Sequence, residues 1–365
     1  MAIITQTLSP SLPPPASTVG VVGWMRQNLF PNWINSVVTV LLLGVLLMAL
    51  IPFVQWAFIN ADWVGTTRDD CTSGGACWVF VNVHLQQFLY GLYPEAERWR
   101  VTLVAVILAL TLLALVVKRV PGKKYVGLFA LFLFPIVAFY LMVGGNFGLA
   151  HVETNLWGGL MLTLVLAIVG IVGALPLGIL LALGRRSQMP VARALSVAFI
   201  EVWRGVPLIT VLFMSSVMLP LFLPEGTDFD KLLRALIGIT LFQSAYMAEV
   251  VRSGLQAIPK GQYEAASALG LSYWQSMYKV ILPQALKMVI PGIVNTFISL
   301  FKDTSLVLII GLFDLLAIVQ GAFSNPKWLG YAVEGYVFAA LVFWLFCFGM
   351  SRYSQNLEKQ LRTTH

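Results

Sequence analysis

The sequence predicts an all-α polytopic membrane protein with about eight transmembrane helices, and three observations carry that prediction. Of 365 residues, 59% are hydrophobic and only 11% charged, less than half the charged share of a soluble domain, which is about 25%. The apolar residues fall in runs near or above the ~20 that a helix needs to cross a bilayer, not in the stripes of a soluble core. Basic residues gather in alternate connections, as the positive-inside rule requires.

Residues 1–35 carry "SPSLPPPAS" and then "GWMRQNLFPNW", which read as a flexible cytoplasmic tail and an interfacial approach segment. No cleavable signal peptide is expected, because the first long apolar run begins near Ser36 and lacks a small-residue cleavage site. Spans are expected at 36–59, 101–117, 125–143, 158–183, 205–223, 232–251, 286–301 and 331–350. The run from Ser305 to Val319 is short and carries Asp314; it reads as a helix inside the protein or at its rim, with a full span as the alternative. Eight spans put both termini on one side. With the N-terminus cytoplasmic, 16 of the 23 Lys and Arg face inward and 7 outward, so both termini are placed in the cytoplasm. The net charge of +7 then describes topology and implies no nucleic-acid partner.

The outer loop at about 60–100 contains "RDDCTSGGACW". Cys71 and Cys77 are an even pair facing an oxidising compartment, read either as a disulfide or as two separate thiols. Cys347 is mid-span and reads as an apolar filler. His84 and His151 stand alone without ligand spacing, so no metal site is expected.

Between the spans at 232–251 and 286–301 lies the longest inner loop, about 252–285, holding "YEAASALGLSYWQSMYKVILPQAL". "GQYEAASAL" is rich in helix formers, Gly270 can supply a positive-φ turn, and "SYWQSMYKVIL" resumes helical character until Pro283 ends it. The product is a helix–turn–helix across the membrane face, able to fit a groove on another protein or simply to brace the bundle.

This stretch resembles the cytoplasmic signature of ABC importer permeases: EAA, three residues, G, nine residues, then I-x-L-P. Glu264, Ala265, Ala266, Gly270, Val280, Leu282 and Pro283 occupy its positions, with Val in place of Ile. The resemblance implies a coupling helix that docks into an ATPase subunit. It extends over about 154–352, where "EVWRGVPLI", "LFQSAYMAEVVRSGLQAIPKGQYEAA" and "SLFKDTSLVLIIG" are similar to the polar amino acid branch that imports histidine, glutamine or glutamate. The implied architecture is a type I importer permease core of five spans at 154–352, preceded by a three-span extension at 36–153 and followed by a cytoplasmic tail at 353–365. An extension with "CW" in its outer loop resembles the longer permease subunit of general L-amino acid or glutamate/glutamine/aspartate transporters. No G-x-x-x-x-G-K-[ST] occurs, so the chain is not expected to cradle ATP.

Each singled-out residue has a plainer reading beside the functional one. Glu264 can pair with a basic group of an ATPase or be an exposed helix charge. Ala265 and Ala266 allow close approach at a docking surface or merely favour helix. Arg204, Gly205 and Pro207 read mainly as the start of a span, with direct transport contact as the alternative. Tyr246, Glu249 and Arg252 share one helix face; Glu249 and Arg252 can neutralise each other, or the three can belong to a translocation path. Lys302, Asp303, Thr304 and Ser305 lie between two apolar segments. Asp303 or Thr304 can cap the following helix, or Lys302, Asp303 and a helix N-terminus can meet the charged ends of an amino acid.

The expected function is therefore the permease subunit of an ATP-driven importer of polar L-amino acids in a bacterial inner membrane, with no cofactor and no covalent catalysis. Its expected partners are a second permease subunit, an ATPase dimer, a periplasmic amino acid-binding protein and the lipid bilayer. The alternative is a secondary transporter or channel acting alone, against which stand the absence of a convincing repeat and the few intramembrane carboxylates.

Overall fold

The apolar runs and their breakers set the helices. The computed structural model describes residues 20–117, 119–146, 148–222, 224 and 229–362. The tail motif "SPSLPPPAS", Lys118 and residues 363–365 of the expected C-terminal tail lie outside them. Two compact units are present, Met1–Val79 and Phe80–His365.

In the first unit, helix α1 (Gly20–Asn28) precedes α2 (Trp33–Val54). Asn32 starts α2 by accepting from the amide of Asn35 at 2.8 Å. Pro52 lies inside α2, and a π-helical turn follows at Gln55–Ile59. The loop beyond is organised by Asp62, which accepts from the amide and hydroxyl of Ser73 at 3.0 and 2.7 Å. Cys71 and Cys77 are joined, with Cα atoms 5.6 Å apart. The Trp78 indole donates to the Ala57 carbonyl at 2.7 Å, and its ring packs on Trp56 and Trp63.

The stretch expected only as outer loop contains helix α3 (Val79–Tyr90), which from Phe80 onward belongs to the second unit. Helix α4 (Arg98–Val116) follows, then α5 (Lys123–Leu128) and α6 (Phe134–Val143) joined by a π-helical turn. Arg100, fully buried, donates to Glu97 at 2.7 Å and to the Ala150 carbonyl at 2.9 Å. It ties the chain leaving α6 to the start of α4, a link between residues 50 apart.

Helices α7 (Gly159–Arg185) and α10 (Lys231–Ala257) are the most extensively packed pair. Small residues let them approach: a Cβ on Gly178 would come within 2.7 Å of Met247 Cβ. Between them lie α8 (Pro190–Gly205) and α9 (Leu208–Phe213), continued by a π-helical and a 3-10 turn to Phe222. The chain bends by 103° at Val206–Pro207, where Pro207 brings no amide to continue α8. The expected span at 205–223 is thus one arm of a broken pair.

Helix α11 (Lys260–Ala268) and the single turn α12 (Tyr273–Ser276) form the inner connection to α13 (Leu282–Asp303). Pro283 was expected to end the second piece, and it does not. A π-helical turn at Met277–Ile281 lets the Leu282 amide reach back to the Met277 carbonyl, and Pro283 sits in the first turn of α13, where its missing amide costs nothing.

After α13 a 3-10 segment, Thr304–Ile310, breaks at Gly311, whose φ is +72°. A two-residue strand (Phe313–Asp314) and the short helix α14 (Leu315–Phe323) follow. The run 305–319 is therefore an internal broken segment and no span. Asp314, completely buried, caps α14 by accepting from Leu316 and Ala317 at 3.2 and 3.0 Å. The last helix, α15 (Ala332–Arg362), continues through most of the stretch expected as a tail.

Among the described residues, six helices are long and apolar enough to cross a membrane, or seven if the bent pair counts as one. The expected span at 232–251 forms α10 but falls outside that set. Arg234, Gln243, Ser244 and Glu249 lower its apolarity. With one long face buried against the protein, it has less need of lipid-facing residues.

Candidate coupling joint and transport cavity

The joint is built from local rules. Helix α11 ends in a Schellman turn: the Gly270 amide donates to Ser267 O at 2.9 Å and the Leu271 amide to Ala266 O at 3.2 Å. Gly270 carries a φ of +71°, and no atom lies within 4 Å of where a Cβ would stand. Backbone conformation alone, not crowding, demands glycine here. Ser272 then starts α12 through a capping box with Gln275. The sequence signal for that box, S-x-x-Q, was legible and is absent from the expected site residues.

Packing fixes which side of the joint faces out. Ala266 is buried while Glu264 and Ala265 are exposed, so Ala266 meets its own protein and is not part of an outward docking surface. Tyr263 donates to the Leu255 carbonyl at 3.1 Å. Gln284 donates to Gln262 at 3.1 Å, tying α13 to α11. Val280 and Leu282 are half-buried beside the cluster around Met277 and Ile281, and Pro283 is exposed. The outward side displays Leu269, Tyr273, Trp274 and Tyr278, the last 78% exposed.

A cavity of about 710 Å³ opens where the α8–α9 bend faces α10 and α13. Its polar lining includes Arg204, Gln243, Tyr246, Asn295, Ser299 and Asp303. Asn295, Ser299 and Asp303 follow at i, i+4 and i+8 on α13, a polar stripe on an apolar helix. Only Asp303 of the three was among the expected path residues, although the stripe's spacing was readable.

The "KDTS" residues separate. Asp303 lines the cavity, whereas Thr304 is buried and donates to the Phe301 carbonyl at 2.8 Å. Ser305 donates to Lys302 O at 3.0 Å, and Lys302 is exposed outside the lining. No side chain caps the 3-10 segment. It continues directly from α13, so the expected free helix N-terminus is not there; the aspartate that caps is Asp314.

Tyr246, Glu249 and Arg252 also part company. Tyr246 lines the cavity beneath Arg204, whose guanidinium stands 5.7 Å from its ring centroid. Glu249 instead accepts from Arg185 at 2.5 Å and from Arg252 at 2.7 and 2.8 Å, with Arg204 at 3.9 Å. Arg185 also meets Glu201 at 2.9 Å. The simple Glu249–Arg252 pair expected from spacing is one edge of a five-member ion cluster joining α7, α8 and α10. Among the described residues no group of His, Cys, Asp and Glu could hold a metal.

Residues 174–363 match the family model described as a binding-protein-dependent transport system inner membrane component. The chain belongs to this family. The inner membrane amino-acid ABC transporter permease protein YhdY of Escherichia coli (strain K12) is 58% identical, over 99% of each chain. The glutamate/glutamine/aspartate/asparagine transport system permease protein BztC of Rhodobacter capsulatus is 40% identical, over 99% of this chain and 98% of its own. A crystal structure of an amino acid ABC transporter with histidines aligns at 29% identity and TM-score 0.49, over 55% of this chain and 92% of that one. By this family and these relatives the chain is an inner membrane permease of an amino-acid ABC transporter, all-α and multi-pass.

Proposed function

We propose that the chain is the permease subunit of an ATP-driven importer of polar L-amino acids. The observation that carries this reading is the joint: a complete EAA–G–LP segment folded as helix, Schellman turn and helix, with Glu264, Trp274 and Tyr278 turned outward. An aromatic, well-braced face of this kind suits a groove on a partner, and the partner is an ATPase dimer that performs the hydrolysis. The relatives' names, amino-acid permeases and a glutamate/glutamine/aspartate/asparagine permease, support the substrate class.

Substrate passes through the cavity beneath the α8–α9 bend. Arg204 offers a positive group and Asp303 a negative one for the two ends of a zwitterion, with Asn295 and Ser299 between them along α13. A second permease subunit closes the open side of this cavity, and a periplasmic binding protein delivers the amino acid. The 154–352 portion is the transport core and 36–153 an added module. Both chain ends lie in the cytoplasm, as the excess of inward bases favours.

Proteoliposomes test this directly. The chain with its ATPase, second permease and binding protein takes up labelled glutamate, glutamine, aspartate or asparagine only when ATP is enclosed with the ATPase. The chain alone takes up none. ATP-independent uptake by the purified chain would instead establish a secondary transporter.

A further inference from the structure

Helix α7 ends in two adjacent arginines that reach different partners. Arg185 holds Glu249 at 2.5 Å, the carboxylate that also faces Arg204 at the cavity mouth, 3.9 Å away. Arg186 donates to the Tyr263 hydroxyl at 3.1 Å, with its guanidinium 5.6 Å from the Tyr263 ring centroid. Tyr263 precedes Glu264 in the joint and is anchored in turn to the end of α10 through Leu255. Polar contacts therefore run without a gap from cavity-lining Tyr246 and Arg204, through Glu249 and Arg185, across one peptide bond to Arg186, and into the joint helix.

We infer that Arg185 and Arg186 are positioning residues that transmit displacement of the joint to the α8–α9 bend at the cavity mouth. This rests on the reading of the chain as an ATPase-driven permease. Charged groups sunk near membrane depth are costly, and Glu249, with a side chain only 17% exposed, is held by arginines from three helices. A change in where α7 ends must alter the Arg185–Glu249 contact. With it goes the grip on Arg204, two residues before the bend at Val206. Arg186 makes that change follow the joint, because its two contacts with Tyr263, stack and hydrogen bond, are both directional. A brace that merely stabilises the bundle would make neither demand; it would change the amount of folded complex but not the ratio of transport to hydrolysis.

The test uses the complete complex in proteoliposomes and reads amino acid uptake per ATP hydrolysed, beside the amount of assembled complex. Arg186→Ala is expected to lower uptake per ATP about tenfold, Arg186→Lys to recover part of it, and Tyr263→Phe, which keeps the ring and loses the hydroxyl, to lower it about threefold. Arg186→Ala combined with Tyr263→Phe should be no worse than Arg186→Ala alone, the non-additivity of residues acting as one link. If Arg186→Ala fails to assemble, Tyr263→Phe decides alone. Uptake per ATP equal to wild type in an assembled variant overturns the linkage while leaving the proposed function intact. A wild-type complex that shows no ATP-driven uptake overturns both.

Discussion

The amide of Leu271 reaches back 3.2 Å to the carbonyl of Ala266 across Gly270, and this one contact defines the shape of the proposed coupling joint. Holding it requires the +71° φ of Gly270. A β-branched residue there is strained by about 1–3 kcal/mol even though space is open. Gly270→Val complexes should insert in the membrane and lose most transport. Gly270→Asn, which tolerates the left-handed region, should keep it. Equal uptake by the Val and parent complexes would remove the turn from the mechanism.

Asp303 lines the cavity and caps nothing, so a capping role no longer competes with substrate contact there. Asp303→Asn removes the negative charge with almost no change in size. Uptake is expected to fall at least about tenfold, the scale of one lost charge-assisted hydrogen bond, with ATPase activity retained. Unaltered uptake in the Asn variant would show that this carboxylate does not meet the substrate.

Asp314 offers a pH dependence outside the spans. Burial raises its pKa from the ordinary 3.8 to about 6, against the amides of Ala317 and Leu316 that lower it. The folded carboxyl thus keeps its proton up to about pH 6, and the unfolded one only to about 3.8. Between these values the folded state binds more protons, so this group's contribution to stability falls as pH rises through the window, by about 3 kcal/mol in all. Detergent-solubilised protein should melt at a higher temperature at pH 4.5 than at pH 7.5. Asp314→Asn, still able to cap α14, should reduce that difference, and a variant with the parent's pH profile would assign the effect elsewhere.

The outer loop can be checked chemically. Cys71 and Cys77 close a short loop that Asp62 also fastens through Ser73. Mass analysis without reductant should find the two linked, and alkylation before reduction should label neither. Cys71→Ser should loosen the loop by about 2 kcal/mol, read as faster proteolysis between 60 and 78. Free labelling of both thiols in untreated cells would contradict the linkage.

What the sequence determined by itself was whatever depends on composition and near neighbours. Apolar runs marked a membrane protein because the bilayer solvates side chains one helix at a time. Gly270 at its fixed distance from Glu264 marked the joint because a Schellman turn is a contract among six consecutive residues. The tertiary structure decided what rests on distant partners. Glu249 looked like half of an i, i+3 pair until α7 brought Arg185, 64 residues away, closer still. Asp303 and Asp314 each precede an apolar stretch, and only the unbroken run of α13 into its 3-10 segment shows that the second aspartate is the cap. Ala266 and Ala265 are chemically the same, yet the burial of one and exposure of the other follow from the face that α11 turns to the bundle. Backbone geometry is written locally; the partners that satisfy buried charge are set by how the helices pack.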